Sequence, residues 1–94
     1  MPYIKRNDRL QYDPLVTELA FQLYEVEDLL QRAGHVNYII TTLLLQSFPV
    51  KRYGTMALVD GVLTGVGREY YRRRVAPYED AAIKRNGDLL GYAS

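Results

Sequence analysis

Residues 13–34 read DPLVTELAFQLYEVEDLLQRAG. Within them Val16, Leu19, Leu23, Val26 and Leu30 recur at steps of three, four, three and four. That spacing returns a residue to the same side of an α-helix and never to one face of a strand. Asp13-Pro14 marks the start, because Asp suits a helix cap and proline at the first helical position loses no hydrogen bond. Leu15, Ala20 and Leu29 widen the stripe, and Glu18, Glu25, Glu27 and Asp28 take the other faces. Gly34 is the expected stop. The stretch therefore predicts one long amphipathic helix and an all-α protein.

The residues before it, 1–12, read as an extended arm and a turn. Beyond it a second helix is expected from Val36 to Ser47. Val36, Ile39, Ile40, Leu43, Leu44 and Leu45 cover more than half its circumference, which predicts burial in a core or at an oligomer interface. Phe48-Pro49-Val50-Lys51-Arg52-Tyr53-Gly54 breaks the pattern as a loop. Thr55 is positioned to cap a third helix whose inner face is Val59, Val62, Leu63, Val66 and Tyr70. Gly61 and Gly65 lie one turn apart. Glycine costs about 1 kcal/mol in a helix interior relative to alanine, so the pair points to close approach of another helix or of a ligand. Pro77 is expected to end or kink this helix at Ala76. A short fourth helix follows from Pro77 to Lys84 or Arg85, with Asn86-Gly87 as its stop. Residues 89–94 read as a tail that is loose or docks across a neighbour. The expected architecture is a small bundle of three main helices plus a short C-terminal one. It has two long antiparallel helices and the apolar second helix buried between them.

Ninety-four residues correspond to one domain, 1–94, with a thin core: a chain of this size buries roughly 60–65% of its extended surface. With 48% hydrophobic residues it should fold, and the apolar second helix favours a homo-oligomer. There is no cysteine, which excludes disulfides, thiolate metal sites and thiol catalysis. No stretch has the apolar core of a signal peptide or the length of a membrane span, so a cytoplasmic location and no membrane partner are expected. The net charge of +1 argues against a general nucleic-acid coat. The basic residues are concentrated instead: Arg68, Arg72, Arg73, Arg74, Lys84 and Arg85 all fall between residues 68 and 85.

That concentration includes Tyr70, Tyr71 and Tyr78 and the acidic pair Glu79-Asp80. Arginine offers a planar fork of donors that suits phosphate, and tyrosine offers a face on which a base can stack. Arg68, Tyr71, Arg72, Arg73, Arg74, Tyr78, Lys84 and Arg85 are therefore candidate ligand-binding residues. The competing reading is a solvated helix end, where cations suit the helix dipole and Glu69 pairs with Arg72 or Arg73. Glu79 and Asp80 complement the dipole of the fourth helix, hold the arginines in place, or pair as magnesium ligands, for which adjacent helical residues about 100° apart are poorly placed. Asn37 and Tyr38 are candidate supporting residues, with a hydrogen bond across the core or an interface as the alternative for Asn37. His35, the only histidine, reads as a cap or surface residue. No metal site, cofactor or phosphate loop is expected, since Gly54-Thr55 lacks the lysine and spacing of a P-loop.

Several elements together are specific: Met1-Pro2-Tyr3-Ile4 with Asp8-Arg9, Asn37-Tyr38-Ile39-Ile40-Thr41, and Ala76-Pro77-Tyr78-Glu79-Asp80 with Asn86-Gly87-Asp88. Through them nearly the whole chain resembles an uncharacterised family of short prokaryotic and phage proteins. Gly65 and Gly67 depart from that family's pattern, where larger residues are expected. The resemblance implies a small helical protein of phage and mobile DNA, in the host cytoplasm if phage-encoded, and no particular activity.

The leading expectation is a non-enzymatic oligomer that binds an anionic, nucleotide-like ligand. Its most concrete form is a phage sponge for a host immune signalling nucleotide. The alternatives are a protein-interaction or nucleic-acid-binding module and a magnesium-dependent nucleotide hydrolase. The hydrolase would use Glu25 and Asp28, three apart on the first helix with Glu18 two turns above Glu25. Such enzymes need a second acidic cluster on a facing helix, and the third helix offers only Asp60 and Glu69; a solvated acidic face is the simpler reading.

Overall fold

The computed structural model describes residues 3–93, and no strand occurs among them. The protein is all-α, with three long helices among shorter ones. The helices are α1 (Arg6–Arg9), α2 (Asp13–Tyr24), α3 (Leu29–Ser47), α4 (Tyr53–Tyr70), α5 (Ala76–Asn86) and α6 (Leu90–Ala93). A π-helical turn, Tyr71–Val75, joins α4 to α5. The helices fall into two units, one up to Lys51 and one from Arg52 onward.

In the first unit α1 forms a single helical turn within the expected arm, whose residues 1 and 2 lie outside the described ones. Arg9 Nε donates to the Ile4 carbonyl at 3.0 Å across it. Asp13 and Pro14 open α2 as the sequence predicts. The helix then stops at Tyr24, ten residues before Gly34, which lies inside α3. Charge at the corner accounts for the break. Glu25, Glu27 and Asp28 would oppose the negative C-terminal end of a helix, whereas Glu27 and Asp28 suit the positive N-terminal end of α3. Asp28 takes the N-cap position in an extended conformation, and its carbonyl accepts the Arg32 N–H at 2.9 Å.

Arg32 closes the corner from the other side. Its Nε donates to the Val26 carbonyl at 2.9 Å and its Nη2 to the Tyr24 carbonyl at 3.2 Å. Its guanidinium carbon lies 5.2 Å from the Tyr24 ring centroid. One side chain thus satisfies the Tyr24 carbonyl, which the end of α2 leaves without a helical partner, and the Val26 carbonyl in the link that follows. The break places Glu25 at the C-cap of α2 and Asp28 at the N-cap of α3, so the two do not lie on one helix.

The second unit is a continuous helical run from Tyr53 to Asn86, roughly 50 Å at 1.5 Å per residue. It begins two residues before Thr55, and Arg52 rather than Thr55 is the N-cap. Nor does it end at Pro77. Proline lacks the N–H that would bond to the Arg73 carbonyl, and its ring would press on that carbonyl in an α-helix. The chain relieves this by widening, and the Ala76 N–H reaches back five residues to the Tyr71 carbonyl. Backbone angles stay helical throughout, with Val75 at φ −80°, ψ −48° and Ala76 at φ −59°, ψ −45°. The predicted break is replaced by a π turn. The run stops where expected, at Gly87, whose φ of +87° favours glycine. Within the tail, Leu90–Ala93 form the short α6, and Ser94 lies outside the described residues.

No described residue is buried. The apolar helix expected in the centre of a bundle, now α3, is not fully buried: Val36, Ile39 and Leu44 are half-buried, while Leu43 is 60% exposed. A methyl group added at Gly61 or Gly65 would find no atom within 4 Å beyond its own helix.

Candidate functional site

All eight candidate ligand-binding residues belong to the second unit. Arg68 lies in the last turn of α4, Tyr71, Arg72, Arg73 and Arg74 form the π turn, and Tyr78, Lys84 and Arg85 lie on α5. All are exposed. Three short-range arrangements organise them.

The first is centred on Glu69. Arg72 Nη2 donates to Glu69 Oε1 at 2.8 Å, and Arg73 Nη1 lies 3.7 Å from the same oxygen. Spacings of three and four residues place both arginines over one acid. The Arg72 hydrogen bond holds the Glu69 carboxyl below its ordinary value, opposed by partial desolvation and assisted by the charges of Arg72 and Arg73. The second arrangement joins the π turn to α5, where the Tyr71 hydroxyl donates to Glu79 Oε1 at 2.5 Å. That bond to a carboxylate raises the Tyr71 phenol above its ordinary value. In the third, the Arg85 guanidinium carbon lies 5.9 Å from the Tyr78 ring centroid, within cation–π range.

The π turn makes the second arrangement possible. Tyr71 and Glu79 are eight residues apart. In an uninterrupted α-helix, residues seven apart share a side, while residues eight apart are turned by roughly 80°. A π turn takes up one extra residue, so the eighth position falls where the seventh otherwise would. Tyr78 and Arg85, seven apart with only α-helix between them, meet by the ordinary rule.

Arg68, Arg74 and Lys84 have no side-chain partner among the described residues. Consecutive helical residues point in different directions, so Arg72, Arg73 and Arg74 do not all reach one point. The Glu69 pairing selects Arg72 and Arg73 as the convergent pair. Asp80 neighbours Glu79 on α5 and adds weakly to the raised Tyr71 value. Asn37 and Tyr38 are on α3 in the first unit, where Asn37 Oδ1 accepts the Thr41 hydroxyl at 3.3 Å. No group of three or more His, Cys, Asp or Glu side chains able to hold a metal ion occurs among the described residues. No helix there is long and apolar enough to cross a membrane.

Sequence reasoning does not single out Arg32 or the π turn. Both leave traces: Arg32 follows a cluster of three acids, and Pro77 stands between two stretches that each read as helix.

Residues 1–89 match the family described as Domain of unknown function (DUF6899), and the chain belongs to that family. No curated protein and no solved structure matches the chain.

Proposed function

We propose that this protein binds an anionic, nucleotide-like ligand without chemical turnover, through the arginines and tyrosines flanking Pro77. The observation that supports this reading is that Arg72 and Arg73 both reach one carboxylate oxygen of Glu69; a solvated helix end predicts the same pairing, so ligand binding and not the pairing decides between the two. A carboxylate presents the same charge and acceptor geometry as one edge of a phosphate, so the pair is already arranged to receive an oxyanion. A phosphate would replace Glu69 at this fork. Arg68, exposed one turn away, would add charge. Tyr78, with Arg85 over its ring, would give a base a surface to stack on. The most concrete form is the sequestering of a signalling nucleotide by a phage-encoded protein, which the resemblance to short prokaryotic and phage proteins supports.

The same exposed track also fits a nucleic-acid backbone, a reading favoured by the exposure of all eight residues. Salt separates the two. A backbone contact loses affinity steeply with salt, in proportion to the phosphates neutralised, whereas a single nucleotide has a shallower slope.

The test is a thermal-shift screen against nucleotides, cyclic dinucleotides and short DNA and RNA at low and high salt. A salt-tolerant shift with one small nucleotide is expected, abolished by Arg72→Ala or Tyr78→Ala with helicity retained. Retained affinity in both variants would overturn the reading. Glu69→Gln removes a competing charge at the fork. It should tighten binding about five-fold, the effect of one unit charge near 4 Å in a water-like dielectric. Weaker binding in Glu69→Gln would show instead that Glu69 positions the arginines for the ligand.

A further inference from the structure

The three arginines of the π turn are not equivalent with respect to Tyr78. Arg72 and Arg73 are engaged with Glu69, and Arg85 with the Tyr78 ring; neither arrangement includes Arg74. Arg74, in the π turn, stands four residues before Tyr78 on α5. The turn takes up one residue, so the two behave as helical neighbours three or four apart, wherever in the turn the extra residue falls. Both spacings put side chains on one side, a single turn from each other. Arg72 is six residues from Tyr78, and neither six nor five returns a side chain to the same side. Arg74 therefore stands beside the ring, while Arg72 faces away from it. We propose that the ligand is a nucleotide carrying a chain of two or more phosphates, the first held by Arg74 and a later one by Arg72 and Arg73.

The order of the groups along the helix selects this class. A base stacked on Tyr78 has its first phosphate one sugar away, a reach comparable with one helical turn of about 5.4 Å. Arg74 lies one turn away. A monophosphate ends there: it meets Arg74 while its base is on Tyr78, or Arg72 and Arg73 together with its base off the ring, but not both. Only a longer phosphate chain extends from Arg74 to the pair. Adjacent arginines can serve one chain, since Arg72 and Arg73 already bring their Nη atoms to 2.8 and 3.7 Å from one Glu69 oxygen. Guanidinium groups suit the task, because each offers several donors in one plane and keeps its charge at any working pH. All the residues invoked lie between Glu69 and Arg85 on one continuous helical run. The inference names the ligand class of the anion site, and so rests on the reading of that site as nucleotide-binding.

Titration calorimetry of the full chain tests it, with the mono-, di- and triphosphates of the four common ribonucleosides and with cyclic dinucleotides, whose two phosphates are not joined in a chain. Affinity is expected to rise about ten-fold or more from mono- to diphosphate, as one further charge-assisted contact would give. Arg74→Ala should weaken every nucleotide that binds, the monophosphate included. Arg72→Ala and Arg73→Ala should weaken only the di- and triphosphates, bringing them down to the level of the monophosphate. If none of these ligands binds the parent protein, the anion site itself fails and this inference with it. If monophosphates bind as tightly as triphosphates, or cyclic dinucleotides alone bind, the anion site stands and this inference fails. It fails too if Arg74→Ala binds like the parent protein. The same holds if that variant unfolds at lower urea, since Arg74 would then be held within the fold rather than free for a phosphate.

Discussion

The corner between α2 and α3 and the junction at Pro77 meet the same difficulty in opposite ways. At the corner the chain contains no proline or glycine from Tyr24 to Asp28, its apolar spacing continues through Val26 to Leu30, and yet the helix breaks. At Pro77 it contains the strongest helix breaker, and the run continues. The difference lies in what each interruption disturbs. At the corner three acids make one helix end unfavourable and the next helix start favourable, and Arg32 supplies the donors that the break requires. At Pro77 only one N–H is missing and only one carbonyl is crowded. Widening a single turn relieves both, at the loss of less hydrogen bonding than a full break. A proline therefore sets a local geometric problem, whereas a charge cluster with a capping arginine can end a helix outright.

Removing the corner's stitch should have the larger effect. Arg32→Ala leaves the Tyr24 and Val26 carbonyls without their charged donor. Hydrogen bonds to charged groups contribute about 1.5–3 kcal/mol, reduced here by solvent access, so a loss of about 1–3 kcal/mol is expected in urea unfolding. Arg32→Lys keeps the charge without the two-pronged geometry and should recover less than half of it. If both variants unfold like the parent protein, the corner is held by charge arrangement alone and the contrast with Pro77 weakens.

Pro77→Ala acts on the other half of the comparison. It restores an N–H and removes the crowding, so the π turn should revert to α-helix with a gain of about 1 kcal/mol, the net contribution of one hydrogen bond. The variant should be more helical by circular dichroism. It should also lose the Tyr71–Glu79 bond, because reversion turns the two side chains apart. A more stable variant that keeps the bond would show that something other than Pro77 holds the turn.

These two interruptions also mark what could be read from the chain alone. The helix start at Asp13-Pro14 and the stop at Asn86-Gly87 were legible because each depends on the backbone preferences of adjacent residues. The pairing of Glu69 with Arg72 and Arg73 was legible because three- and four-residue spacing fixes it once a helix is assumed. The corner was not, because Arg32 acts six and eight residues back, beyond any local propensity. Nor was the Tyr71–Glu79 bond, whose spacing is wrong for an α-helix and right only after one residue is taken up by the π turn. The apolar content of α3 and α4 was plain in the sequence. It says that these faces seek cover without saying from which molecule.

The smallest effect, and the one most specific to the π turn, is read by pH. Tyr71 has its phenol raised above the ordinary value of 10.0 by its bond to Glu79. A group whose folded value lies above its unfolded one adds stability that is complete below the unfolded value. That stability disappears as pH rises through the folded value. Glu69 behaves in the opposite sense: its value is lowered from 4.5, so its contribution is present above that value and is lost as pH falls through the lowered one. Both groups are open to solvent, so the shifts are better measured as titrations than as stability. The chain has nine tyrosines, so the Tyr71 signal is the ultraviolet difference between the parent protein and Tyr71→Phe. It should titrate above the ordinary phenol value, and return to it in both Glu79→Gln and Pro77→Ala. A return in Glu79→Gln alone would mean that the bond survives without the proline. An ordinary value in the parent protein would mean that Tyr71 and Glu79 do not meet, and the extra residue of the π turn would lose its structural consequence.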